Sequence, residues 1–448
     1  VSGARSPSET RDLADASARL GVAGFFVEPS PAVPLVGFSL SSVRGAAYDP
    51  EGKEGATRLM ARLIRRTAGG RTATAMDELI DSLGGSLAVE TTCSTLGIHG
   101  GVIARSLERF AALLAEVVSA PAFREDEFRL LLREAEGELV DTLDNDRALA
   151  RRWFRRRLFA GHPYGRATSG TLASLKRIEL SDLEQLYRKL LVKQHLLVGF
   201  AGDIGEDAAL RFAELITKAL PEGPALPDDV GEPTGPRGRR LVIVDKPERT
   251  QTQILIGGLG THPRDADHTA LHVANTIFGG TFTARLTQEV RAKRGWSYGA
   301  YSNLPFDRRR QAFSLWTFPK AEDAGPCIAL QLQMLGVLRE RGVTKAELAR
   351  AKKYLVRSHA FAVDTASKRA GLRLDSALYE LPERYYEEYT DRVQAVSLDD
   401  VNAAIRARIP VDDLIVTVLG TEADIGAALR DSIDGLTDVE VIPFDKND

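Results

Sequence analysis

Two stretches of this chain echo each other at a fixed offset of 218 residues: Leu180, Asp182, Val198 and Gly202 recur as Leu398, Asp400, Val416 and Gly420. A period this long is too large for a stacked short repeat and marks a duplicated unit. Between the copies, Pro221, Pro224, Pro227, Pro233 and Pro236 alternate with Gly223, Gly231, Gly235 and Gly238. That composition breaks helix and strand alike and reads as a linker over 221–240, separating halves 1–220 and 241–448. In both halves a polar helix start (Ser181-Asp182; Asp399-Asp400) opens a helical stretch, and a β-rich run follows, His195 to Gly202 and Leu414 to Gly420. Earlier in each half come a strand (35–41; 253–257), a loop and an amphipathic helix (55–67; 267–278). The expected class is α+β, two homologous domains, each a mixed sheet flanked by helices.

Composition permits this and excludes several partners. The 448 residues are 44% hydrophobic and 27% charged, enough apolar material for more than one core. A net charge of −3, from 59 basic and 62 acidic residues, provides no bulk field for nucleic acid or an anionic membrane. No run of about 18 apolar residues occurs, so no spanning helix is expected. Cys93 and Cys327 are the only cysteines and stand far apart, which argues against a disulfide framework or a thiolate metal site. The first ten residues lack the basic and apolar regions of a signal peptide, but the chain begins with Val1 rather than Met. A leader already removed would fit a periplasmic protein; the cytoplasm stays open as the alternative.

The ordered motifs point to a family. His162-Pro163-Tyr164-Gly165, then Leu180-Ser181-Asp182-Leu183 and the strand ending at Gly202, stand in the first half. The second half has Phe278-Gly279-Gly280, Arg285-Leu286, and Arg291 seven residues before Tyr298. In this order, on a duplicated frame, the chain resembles the insulinase/pitrilysin-type metallopeptidases, especially the processing-peptidase branch. The resemblance implies sheets that are largely antiparallel, each chain forming half of a clamshell. It also implies an inverted zinc motif, His-x-x-Glu-His, on the first amphipathic helix. Histidines at i and i+4 share one helix face and grip the metal, while the glutamate takes a proton from bound water.

The matching segment here holds Arg58, Ala61 and Arg62. Guanidinium groups stay protonated and offer no lone pair, so this chain is expected to hold no metal and to have no catalytic residue of its own. Glu134 best matches the family's third ligand, with Glu138 as a register alternative. Arg58 and Arg62 belong either to a solvated face with Arg65 and Arg66 or to a surface facing a partner. His268 and His272 have ligand spacing near His262, yet no glutamate lies between them and nothing fixes a third ligand, so packing is the preferred reading. His99, His162, His195 and His359 are scattered singly. No Gly-x-Ser-x-Gly elbow, phosphate loop or dinucleotide fingerprint occurs.

What the resemblance leaves is a substrate site. Arg291, near a helix end, and Tyr298, on the following strand, would converge on a peptide backbone, where guanidinium and phenol both donate to carbonyl or oxyanion oxygens. Gly279 and Gly280 would form a turn close to substrate; the plainer alternatives are a basic helix end, an ordinary strand tyrosine and a sharp turn. Trp296 either packs beneath the site or belongs to the core. The leading expectation is a zinc-free subunit that pairs with a homologous zinc-bearing peptidase and helps hold unfolded peptide. The alternative is a structural subunit of the kind this fold supplies to respiratory complexes, for which Arg291 and Tyr298 would be dispensable. An autonomous hydrolase has the weakest support.

Overall fold

The computed structural model describes residues 7–446 apart from 67, 120 and 222; residues 1–6, part of the segment read for a leader, lie outside them. They form two compact units. One comprises the chain up to 139, 167–230 and 360–387, the other 140–166, 231–359 and the chain from 388. These are not the linear halves, and the reason is one helix in each.

In the first unit β1 (Gly24–Pro29), β2 (Leu35–Ser42), β3 (Gly85–Thr91), β4 (Leu96–Ile103) and β5 (Leu196–Gly202) make a sheet of order β1-β5-β2-β4-β3. Only β1 and β5 run parallel; the other pairs are antiparallel. Side chains alternate across a strand. On β5, Leu196, Val198 and Phe200 therefore enter the main core, beside Leu59, Leu63 and Phe212. Leu197 points to the other face and meets Leu374 and Leu378. Those two belong to the helix Ala366–Leu378, which packs over β1 and β5 although it comes from the second half of the chain.

The second unit repeats the plan. Its strands β6 (Arg239–Asp245), β7 (Gln253–Leu259), β8 (Ala300–Asn303), β9 (Ala312–Thr317), β10 (Leu414–Gly420) and β11 (Leu436–Pro443) run in the order β11-β6-β10-β7-β9-β8. Here β6 pairs parallel with β10 and β11, and the rest is antiparallel. Ile254, Ile256, Phe313, Leu315, Val416 and Val418 supply one core face. The opposite face of β6, β7 and β10 is covered by the helix Asp146–Leu158, from the first half of the chain. Gly257 lies between this helix and β9: a Cβ there would meet the Phe313 carbonyl at 2.2 Å and the Phe154 ring at 3.1 Å.

Strands β2 and β5 thus begin at the offset of β7 and β10 seen in the sequence (Leu35 and Gln253; Leu196 and Leu414). The described part of 221–238 has neither helix nor strand, yet it is tied down. The Leu226 N–H donates to His195 Nε2 at 2.8 Å, and the Tyr48 hydroxyl to the Pro227 carbonyl at 3.1 Å. His195 is accordingly an acceptor in its neutral form, its pKa lowered by burial and then by Arg44. Among the described residues no helix is long and apolar enough to cross a membrane.

Candidate functional site

The helix Ala56–Arg66 carries the positions of the expected metal motif. It starts where it does because the buried Asp49 carboxylate accepts from the N–H groups of Gly55, at 2.8 Å, and Thr57, at 2.9 Å, satisfying donors that a helix start leaves over. Leu59, Met60, Leu63 and Ile64 are fully buried on one face, each contributing about 1.5–3 kcal/mol. Ala61 is buried with them. Arg58, Arg62 and Arg66 lie one turn apart on the other face and meet the helix Glu125–Thr142.

Their partners are the two glutamates weighed in the sequence. Arg58 bridges to Glu138 at 2.8 Å. Arg62 reaches Glu134 at 2.9 Å and Glu138 at 3.0 Å. Arg66 grips both oxygens of Glu134, at 2.7 and 3.1 Å. Arg58 and Arg62 therefore have a role that neither expectation named: they join two helices of their own unit. Such half-exposed pairs contribute about 0–1 kcal/mol each, so the apolar face anchors the helix and the arginines settle the charge of the carboxylates. Zinc does not fit this donor set. Both histidine positions are cations, and the remaining carboxylate ligand is already held by two guanidiniums.

His268 and His272 are separately satisfied. His268 Nδ1 lies 2.9 Å from the Thr261 hydroxyl, and His272 Nε2 lies 3.2 Å from that of Tyr389. Burial, then the neighbouring His272 and His262, push the His268 pKa down to about 3, and burial lowers that of His272. Both rings are neutral, His268 buried and His272 half-buried. Among the described residues no group of three or more His, Cys, Asp or Glu could hold a metal ion. Cys93 and Cys327 are both buried thiols, not joined to each other by a disulfide.

In the second unit the helix His268–Phe278 ends at Gly279. A Cβ on Gly279 would sit 2.6 Å from the Ser302 backbone nitrogen, so the turn is glycine because β8 passes against it. The exposed Gly280 is crowded by Asn275 and Thr276, again from within the chain. From this turn the backbone enters a short helix and then the wider π-helical turn Gln288–Lys293, which contains Arg291. Gly295, at φ +66°, takes the left-handed conformation that ends it, and the Gly295 N–H donates to the Arg291 carbonyl at 3.1 Å. The reversal brings Tyr298 back beside Arg291, two residues ahead of β8 rather than on the strand.

Arg291 is sandwiched. Its guanidinium carbon lies 4.3 Å from the centroid of Tyr298 and 4.5 Å from that of Phe282. Among the described residues none accepts a hydrogen bond from that guanidinium or forms an ion pair with it. Its neighbours differ: Lys293 and Arg294 both pair with Glu289. Stacking on aromatic faces fixes the guanidinium plane without occupying N–H groups, so Arg291 is held in place with its donors unspent. Tyr298 is 75% exposed and Phe282 61%. Trp296 packs against the core from below.

Sequence reasoning missed Phe282 and the cavity it borders. This cavity, about 920 Å³, is lined by apolar side chains, among them Phe282, Leu330 and Val337, and by charged ones, among them Glu289, Arg294 and Arg350. Arg285 anchors its wall through two bonds of 2.7 Å to Glu347, which hold that carboxyl down at about 2. The only hint in the sequence was an aromatic residue beside a glycine turn, where burial would normally be assumed.

Two family models cover the chain in tandem: insulinase (peptidase family M16) over residues 30–172 and the peptidase M16 inactive domain over 177–355. The chain belongs to peptidase family M16. Among its M16 relatives, a non-peptidase homolog from Helicobacter pylori is 23% identical over 88% of this chain and 91% of that protein. An uncharacterized zinc protease from Streptomyces coelicolor is 24% identical, over 85% and 83% respectively. Of solved structures, a peptidase M16 inactive domain from Pseudomonas fluorescens superimposes with a TM-score of 0.83 at 24% identity, covering 89% of this chain and 95% of that one. A chain of Complex III2 from Candida albicans gives a TM-score of 0.73 at 15% identity, over 92% and 97%. The fold is that of the M16 inactive domain, and this M16 chain lacks the family's histidine ligands.

Proposed function

We propose that this chain is the non-catalytic, substrate-holding subunit of a heterodimeric zinc metallopeptidase that cleaves unfolded peptides. The zinc would belong to a homologous partner. The observation that carries the reading is Arg291, fixed between Phe282 and Tyr298 with no acceptor of its own among the described residues. A guanidinium so held can donate to a peptide carbonyl and, more strongly, to the oxyanion that develops from it. Tyr298, exposed beside it, offers a second donor. The exposed turn at Gly280 would let a peptide backbone approach, and the cavity beyond Phe282 would take an apolar side chain.

The test mixes this chain, wild-type, Arg291→Ala or Tyr298→Phe, with a zinc-bearing M16 homologue from the same organism, after size-exclusion chromatography shows equal complex formation. Arg291→Ala is expected to lower turnover on the order of 100-fold, as loss of one oxyanion donor does elsewhere. A rise confined to KM would restrict the pair to holding bound peptide. Undiminished hydrolysis by both variants would reject the reading and favour a structural subunit, a role for which the likeness to a chain of Complex III2 is a precedent in fold alone.

A further inference from the structure

The helix Asp146–Leu158 carries six arginines, and three of them, Arg147, Arg151 and Arg155, fall at i, i+4 and i+8 on one flank. None of the three has a carboxylate partner among the described residues, in a protein where Arg157 of the same helix pairs with Glu440 at 2.6 Å. Arg147 lies over the Trp316 ring at 3.6 Å. Arg155 donates to Gln311 Oε1 at 3.0 Å and to the Tyr164 carbonyl at 3.1 Å, both neutral acceptors. Among the described residues Arg151 makes no hydrogen bond or ion pair. Desolvation first, then the charges of Arg155 and Arg147, lower its pKa, and no acid among the described residues offsets them.

Like charges one turn apart repel, so this row costs stability that a single glutamate nearby would have relieved. An unmet donor marks its Arg155 end: Gln311 is 5% exposed, and its Nε2 has no acceptor among the described residues. The flank runs toward β9 and β8, where Trp316 and its register partner Tyr301 stack at 6.0 Å on the face away from the core. The Gln253 side chain accepts from Trp316 Nε1 at 3.0 Å, fixing that ring.

We propose that Arg147, Arg151 and Arg155, with Trp316 at their edge, bind an acidic stretch of extended peptide through its carboxylates. The spacing suits it. Residues four apart on a helix are separated by about 6 Å along the axis, and same-face side chains of an extended strand by roughly 6.6 Å, so successive guanidiniums can meet alternate Asp or Glu side chains. Planar guanidinium and carboxylate pair through two parallel hydrogen bonds. A single-stranded nucleic acid is a poorer occupant: the Trp316 ring is already covered by Arg147, with Tyr301 and Phe318 packed round it, so it offers no open platform for a base. This adds a substrate preference to the peptide-holding reading and rests on it, but its test uses binding and not hydrolysis.

The full-length chain is titrated against a labelled twelve-residue peptide with Glu at alternate positions, its Gln counterpart, and polyphosphate. The Glu peptide is expected to bind about tenfold tighter than the Gln peptide, with an advantage that shrinks as salt rises. Arg151→Glu should abolish that advantage, and Arg151→Gln should reduce it should the charge reversal impair folding by circular dichroism. Arg291→Ala should weaken both peptides by the same factor, so failure of the Arg291 reading would leave the charge preference intact. Equal binding of the Glu and Gln peptides, or an unchanged preference in both Arg151 variants, would overturn the proposal. So would polyphosphate displacing the Glu peptide at lower concentration than unlabelled Glu peptide does.

Discussion

Arg62 in the first unit and Arg291 in the second are both half-buried arginines on helices, and their guanidiniums are restrained in opposite ways. Arg62 is fixed by carboxylates, Glu134 and Glu138, that consume its charge. Arg291 is fixed by the faces of Phe282 and Tyr298, which orient the group and leave its N–H donors for something outside the chain. Arginine content alone therefore says little about function. What separates an internal tie from a site poised for a ligand is whether the restraint uses the same atoms that recognition would use.

The comparison breaks most visibly through metal. Wild-type chain is expected to retain no stoichiometric zinc after dialysis, whereas Arg58→His with Arg62→His and Arg66→Gln would place two imidazoles opposite a released Glu134. Elemental analysis of the triple variant should then approach one zinc per chain; none would mean the two helices are not spaced as a ligand set. Next in size is stability. Glu134→Gln leaves Arg62 and Arg66 short of a shared partner and should cost on the order of 1–2 kcal/mol in denaturant melts, while Arg291→Ala gives up two exposed ring contacts at the low end of about 0.5 kcal/mol each and should cost about 1 kcal/mol or less. Similar losses in both would erase the distinction. Phe282→Ala removes one face of the sandwich, worth about 0.5–1 kcal/mol, and should weaken peptide binding three- to fivefold without loss of fold. The last test reads a slope against pH and concerns Arg285 and Glu347. Because the Glu347 pKa falls from 4.5 to about 2 on folding, its contribution is present above 4.5 and lost as pH falls through 2. Glu347→Gln should flatten the acid limb of a stability-against-pH curve in that window, and a limb of unchanged slope would show the pair to be inert.

Much of the frame was legible because duplication leaves marks in register. Leu180 with Leu398 and Gly202 with Gly420 anticipated β5, β10 and the helices before them, since alternation and glycine turns are local signals. The exchange of helices was not legible. An apolar stripe containing Trp153 and Phe154 shows that a helix must pack, but not on which of two similar sheets. The replacement of both histidines by arginine could be read directly; the identity of their partners could not, because Glu134 and Glu138 lie more than seventy residues away and only three-dimensional packing makes both of them neighbours of Arg62. Arg291 and Tyr298 were named from their spacing within a family pattern. Phe282 lacked such a pattern, and its exposed ring emerges only once the π-helical turn has been built.

The helix exchange also sets a timetable. A ribosome releases the chain from its N-terminus, and domains tend to fold as units during synthesis. All five strands of the first sheet have been made once Gly202 is complete, yet the outer side of β1 and β5 must wait for the helix Ala366–Leu378, more than 160 residues later. Over the same interval Trp153 and Phe154 exist before β6, β7 and β10, the strands that will shelter them. The nascent protein thus exposes two apolar surfaces for a large part of its translation, and a stop codon placed in the proline- and glycine-rich segment would make that condition permanent.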